Sequence, residues 1–179
     1  MKKLLLLLLL IPLYSSQSMA QQTYYYAKNL DAYVGTWVYQ NADTTFTLVI
    51  KKGTKNTSLF YEECLIGGYK LEKGEELIGD YTRNLPNEIT DQTYRDSNEP
   101  SFIGTNGTSI PDRANPNVIN IWFYDKNERH LKGLFILKTP TTARFKVRKL
   151  EQVILLEEGQ TVEDPDISVP EDVIMTKVE

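Results

Sequence analysis

The residues in this chain that could do chemistry are few, and their spacing limits what they can do. His130 is the sole histidine and Cys64 the sole cysteine. One imidazole cannot supply the histidine sets that most zinc and iron sites use, and His130 lies in "NERHL", which reads as a solvated hairpin turn. No G-x-S-x-G stretch sets up a nucleophilic serine. Three adjacent glutamate pairs occur: Glu62-Glu63, Glu75-Glu76 and Glu157-Glu158. Neighbours on a strand point to opposite faces, so none of these is a ready-made pair of catalytic carboxylates. Whichever of Glu62 and Glu63 faces inward needs a partner, because an unpaired buried carboxylate is costly.

Cation loops fare no better. "DPDIS" at 164–168 begins with alternating acids, but Val169 stands where a calcium loop needs glycine and Met175 where it needs glutamate. "DSNEPS" at 96–101 also lacks the glycine. Asn56-Thr57-Ser58 and Asn106-Gly107-Thr108 match the N-glycosylation pattern. The expectation is therefore a protein with no catalytic residues, cofactor or metal, and not an enzyme.

Aromatic side chains are the one enrichment suited to binding. The chain carries 11 Tyr, 6 Phe and 2 Trp, amphipathic rings that can line a pocket or simply fill a sheet. Tyr61, Tyr69, Trp122 and Tyr124 are the candidate ligand-lining residues.

The N-terminus reads as an address. Lys2 and Lys3 precede an apolar run from Leu4 to Leu13 and a small-residue stretch ending Ser18-Met19-Ala20, the layout of a cleavable signal peptide. Such a run falls short of the roughly 20 residues a spanning helix needs. Residues 1–20 are thus expected to be removed, leaving one domain, 21–179, exported to the periplasm or secreted, with no membrane span after cleavage. The full chain has a net charge of -4, and losing two lysines makes it more acidic, which argues against nucleic acid as a partner. A single cysteine closes no internal disulfide, so stability must come from the core; Cys64 reads as buried filler.

The remaining chain must be built from strands. "AKNLDAYVG" at 27–35 suggests one short helical turn capped near Asn29 and ended at Gly35. "TTFTLVIKK", "SLFYEECLIGGYKLEK", "ELIGDYTR", "VINIWFYD", "LKGLFILK", "ARFKVRKLEQVIL" and "DVIMTKV" show the alternation of half-buried strands. Gly67-Gly68 suggests a bulge or bend, and 84–117 is rich in loop formers, with short strands near 88–94 and 101–104. About nine strands in meander order predict an all-β fold: a single antiparallel barrel of about 8–10 strands with a short N-terminal helical turn.

Gly35-Thr36-Trp37, after that turn and at the head of the first long strand, resembles the G-x-W motif of lipocalins and their calycin relatives. The resemblance implies a late arginine packed across the tryptophan, with Arg148 preferred over Arg144. Over most of the chain, "GTWVYQNADTTFTLVIKK", "EELIGDYTRN" and "SVPEDVIMTK" are similar to an uncharacterised family of small exported bacterial proteins with a lipocalin-like barrel and no established activity. Two functions stay open. In one, the barrel mouth binds a small apolar or amphipathic ligand under a lid made from 84–117. In the other, a filled barrel works through its surface as an envelope or extracellular interaction module or inhibitor, with an unknown protein partner.

Overall fold

The structure, a computed structural model, describes residues 22–90, 101–107, 114–127, 129–149 and 166–178. The expected signal peptide, Glu157-Glu158, and residues 96–100 and 164–165 of the two acidic loops lie outside them.

The described chain is almost wholly strand. Its elements are β1 (Thr23–Tyr25), a 3-10 turn (Leu30–Tyr33), β2 (Gly35–Gln40), β3 (Thr44–Asn56), β4 (Phe60–Lys73), β5 (Glu76–Asp80), β6 (Glu88–Thr90), β7 (Ser101–Thr105), β8 (Val118–Asp125), β9 (Arg129–Thr139), β10 (Thr142–Lys149) and β11 (Asp172–Val178). Eight of them, β2, β3, β4, β7, β8, β9, β10 and β11, pair antiparallel in that order. The ring closes where β11 returns to β2, with Thr176 opposite Val38, Lys177 opposite Trp37 and Val178 opposite Thr36. This is the meander barrel that the alternating pattern predicts, and closure leaves its staves without open edges.

Three short strands lie off the ring. β5 folds back on β4 through Gly74-Glu75, where Gly74 takes the left-handed φ of 60° that a tight turn demands. β1 runs parallel to β4, and β6 runs parallel to β3. At three residues each, β1 and β6 are too short to show a period.

Alternation puts Phe46, Leu48 and Ile50 of β3, Leu65, Tyr69 and Leu71 of β4, Ile119, Ile121 and Phe123 of β8, and Phe145 and Val147 of β10 into one core. The opposite face of β4 is also covered. Cys64 and Ile66 pack there with Ile89 of β6 and the half-buried Ile103 of β7. Gly67-Gly68 is not a bulge: the β3–β4 register runs unbroken through it. A Cβ at Gly68 would lie 1.8 Å from the Tyr81 carbonyl oxygen, and Tyr81 N donates to Tyr69 O at 2.8 Å. The glycine admits a crossing backbone.

Both ends are plugged. At one, Trp37 Nε1 donates to Tyr33 O at 2.8 Å and the Tyr33 hydroxyl donates to Pro116 O at 3.1 Å, so the 3-10 turn is held across the mouth. Asn29 precedes that turn at a φ of 57°. At the other end the cover is residues 167–170, with Val169 buried in the core. The described parts of 84–117 do not form the expected lid. Residues 87–90 lie along β3, 101–105 are a barrel stave, and Pro116 braces the 3-10 end.

The G-x-W motif works here with a different cation. Lys177 Nζ sits 5.4 Å from the Trp37 ring centroid and donates to Ala32 O at 3.2 Å. Neither Arg148 nor Arg144 reaches that ring; the alternation of β10 turns both outward while Ala143, Phe145 and Val147 face the core. Gly35 has a φ of 129°, and a Cβ there would lie 2.9 Å from Lys177 Cε. Backbone strain and crowding coincide at this position. Gly35→Ala is expected to destabilise the barrel by about 1–3 kcal/mol, read as a lowered urea midpoint at unchanged slope.

Candidate functional site

The lumen is filled with rings. Trp37 meets Phe135 edge-on at 5.2 Å, Phe46 lies 5.3 Å from Phe145 and 5.9 Å from Tyr69, and Tyr69 lies 4.9 Å from Phe123. Phe102 and Tyr33 approach Phe135 from other sides, at 6.4 and 6.0 Å. All of these side chains are at most 2% exposed. Tilted and edge-to-face contacts add to the burial of large apolar surfaces, and eight strands enclose a width that such side chains can fill.

A polar clasp fastens the second mouth onto this packing. Asp125 is fully buried at the end of β8. Its carboxylate accepts from the Tyr69 hydroxyl at 3.1 Å, Lys126 N at 2.8 Å, Ser168 N at 2.8 Å and the Ser168 hydroxyl. Burial and the neighbouring Asp125 hold the Tyr69 hydroxyl protonated well above the usual range. Four donors satisfy one acid, as a buried polar group requires. Tyr69, a candidate ligand residue, is therefore a structural member of the lumen.

The other three candidates lie outside the barrel. Tyr61 stacks on Tyr24 at 5.2 Å, beside the β1 edge. Tyr124 is half-buried against the exposed His130 ring at 4.8 Å. Trp122 points away from the core and is 41% exposed. These residues do not share a pocket with Tyr69.

Trp122 instead forms part of a groove on the outer face of β8, β9 and β10, a concavity of about 730 Å³ lined by Asn120, Trp122, Lys132, Gly133, Leu134, Lys146, Val147 and Arg148. Pairing register brings six of these residues onto one outer face, with Gly133 and Val147 between them in the strands. Trp122 stands opposite Lys132 and Lys132 opposite Arg148, while Asn120, Leu134 and Lys146 form the adjacent row. Lys132 Nζ lies 4.4 Å from the Trp122 ring centroid, a cation–π contact that orients both groups. Beyond the groove, Arg144 makes a two-pronged ion pair with Asp172, both contacts at 2.6 Å, and Lys146 approaches the same carboxylate at 3.5 Å. That guanidinium holds the Asp172 carboxyl below its ordinary range.

The sequence reading found Trp122 and Arg148 but gave Arg148 another task and missed Lys132, Lys146 and Asn120. One signal was available: Arg144, Lys146 and Arg148 recur at every second position of "ARFKVRK", which on a strand makes one cationic face.

The remaining singled-out residues are structural. Glu62, the buried member of its pair, accepts from the Thr105 hydroxyl, whereas Glu63 is exposed. Burial pushes the Cys64 thiol up to about 12, leaving it un-ionised and unreactive at neutral pH. The Asn106 amide is buried, accepts from Lys28 N at 2.9 Å, and donates to Lys28 O at 2.9 Å and Asn115 O at 2.7 Å. It is a brace, unavailable for glycosylation in the folded chain. Among the described residues, no group of three or more His, Cys, Asp or Glu side chains could share a metal ion. No helix of the described residues is long and apolar enough to cross a membrane.

Fold and surface together define a closed eight-stranded antiparallel barrel with a ring-filled lumen and a cationic outer groove. By sequence, the chain belongs to a family of unknown function, DUF6705, whose model matches residues 1–178. No curated protein and no solved structure matches it.

Glu62 yields a pH test. Burial raises its pKa above the usual value, against the smaller opposing effects of Thr105 and Lys55. The native state therefore holds this proton to higher pH than the unfolded chain does, and stability falls as pH rises through the interval between the two pKa values. Urea midpoints from about pH 4 to 7 are expected to show this component in the native sequence and to lack it in Glu62→Gln.

Proposed function

We propose that the protein is an exported, non-enzymatic binding protein that engages its ligand on the outer face of the barrel, at the groove over β8, β9 and β10, and not in the lumen. The observation that carries the reading is the filled interior. A lipocalin-like ligand would have to displace Phe46, Tyr69, Phe123 and Phe145, all buried and in mutual contact. Removing one such ring typically costs about 3–5 kcal/mol. The outer groove requires no displacement, and its volume falls within the usual range for ligand sites of about 300–1,000 Å³. Export is supported by the charged, apolar and small-residue order of residues 2–20.

Two measurements test the reading. N-terminal sequencing of protein recovered from the producing cells should begin at Gln21. Adding a small-molecule extract of those cells to isotope-labelled protein should shift backbone amide resonances at 120–122, 132–134 and 146–148. Shifts confined to lumen-facing residues of β3 and β4 would return the site to the interior and refute the proposal.

A further inference from the structure

Lys132 and Arg148 stand directly opposite each other on neighbouring strands, both pointing outward. Like charges in that relation are destabilising. Lys146 follows on the same face two residues before Arg148, so three cations border one concavity. Of the described acids, only Asp172 has an ion pair with any of the three, through Lys146, and its closer partner is Arg144. This concentration of positive charge occurs in a chain whose net charge is -4. An anion in the groove would relieve the repulsion.

The same concavity presents apolar surface. Trp122 is exposed at one side, and the half-buried Leu134 stands between Asn120 of β8 and Lys146 of β10. Lys132, fixed over the indole, joins the two regions. Inorganic phosphate or acetate would use only the charged part, and a neutral hydrocarbon only the apolar part. A planar membrane surface fits a recess poorly.

Building on the outer-groove reading above, we infer that the groove's ligand is a dispersed anionic amphiphile, with its oxyanion head between Lys132, Lys146 and Arg148 and its apolar body against Trp122 and Leu134. The arginine offers a fork for a carboxylate or phosphate head, and the lysines add point charges. Binding is then predicted to weaken with salt.

Tryptophan emission can test this directly, because Trp122 is exposed and Trp37 is wholly buried. The probes are sodium laurate below its micellar concentration, the neutral monoglyceride of the same chain, and acetate. Laurate is expected to change the emission of the native protein and to bind at least about tenfold more tightly than the monoglyceride, a difference of about 1.4 kcal/mol. Acetate should have no effect at matched concentration. The response should vanish in Trp122→Phe, where only Trp37 remains. Lys132→Gln/Arg148→Gln, checked for native circular dichroism, should lose the preference for laurate. Equal binding of laurate and monoglyceride at Trp122 would overturn the anionic ligand class while leaving the outer groove intact. A laurate response surviving in Trp122→Phe, with emission from Trp37 altered, would overturn the outer-groove reading itself. Binding only to vesicles of anionic phospholipid, with none to dispersed laurate, would replace the amphiphile with a membrane surface and refute the inference.

Discussion

The interior of an eight-stranded barrel is narrow, and this chain fills it with aromatic side chains. Everything else in the structure follows from that constraint. Once Phe46, Tyr69, Phe102, Phe123, Phe135 and Phe145 occupy the lumen, every neighbouring position must be shaped to them. The rings meet at tilted or edge-on angles between staves that are far apart in sequence. A ring packed this way contributes its buried area and also a directional preference of about 0.5–1.5 kcal/mol per pair. The result is a core that favours a single arrangement over several. A meander path of the chain thus ends in a barrel whose described interior is packed with rings.

A solid core still needs covering at its ends, and each end does so with a different polar device. At the 3-10 end, the indole of Trp37 is satisfied by Tyr33 O while Lys177 lies across its face. At the other, Asp125 gathers donors from three segments, β4, the β8–β9 turn and residues 167–170. The two devices differ in kind. The first uses a cation whose stem passes over a glycine, so that Gly35 is tied to Lys177 rather than to Trp37 alone. The second uses a buried carboxyl group, which is tolerated only because hydroxyl and amide donors surround it. Loss of either would expose the same ring cluster.

The sequence displayed the long staves clearly because each runs far enough to alternate, while β7, at five residues, was read as a short strand within a lid. β3 and β8 announce their inner faces through Phe46, Leu48 and Ile50 and through Ile119, Ile121 and Phe123. Of the parallel additions, β6 falls within the short strand expected near 88–94, whereas β1 was invisible because three residues carry no period; the pairing of both depends on distant partners. Gly67-Gly68 was legible as a special backbone site, but a bulge and a close crossing place the same demand on glycine. The cation over Trp37 was misread for a related reason. Arg148 and Lys177 are both cations near the end of the chain, and only register shows which one faces inward. Tyr69 and Trp122 looked alike as aromatic residues in strands; one holds a buried acid, the other faces solvent.

The functional consequence lies in what the outer face does with side chains that the lumen does not need. On β10 the inward positions are Ala143, Phe145 and Val147, and the outward ones are Arg144, Lys146 and Arg148. Solubility would be served equally well by mixed charges, and adjacent strands could have placed acids opposite these cations. Asp172 does so for Lys146 by register, although its carboxylate is held more closely by Arg144. The register instead puts Lys132 opposite Arg148 and Trp122 opposite Lys132. Charge repulsion and exposed indole area each cost stability, and neither is required by closure of the barrel. Their meeting in one concavity is the departure from folding logic that most needs a cause outside folding, and an anion with an apolar body, if bound there, would remove both costs at once.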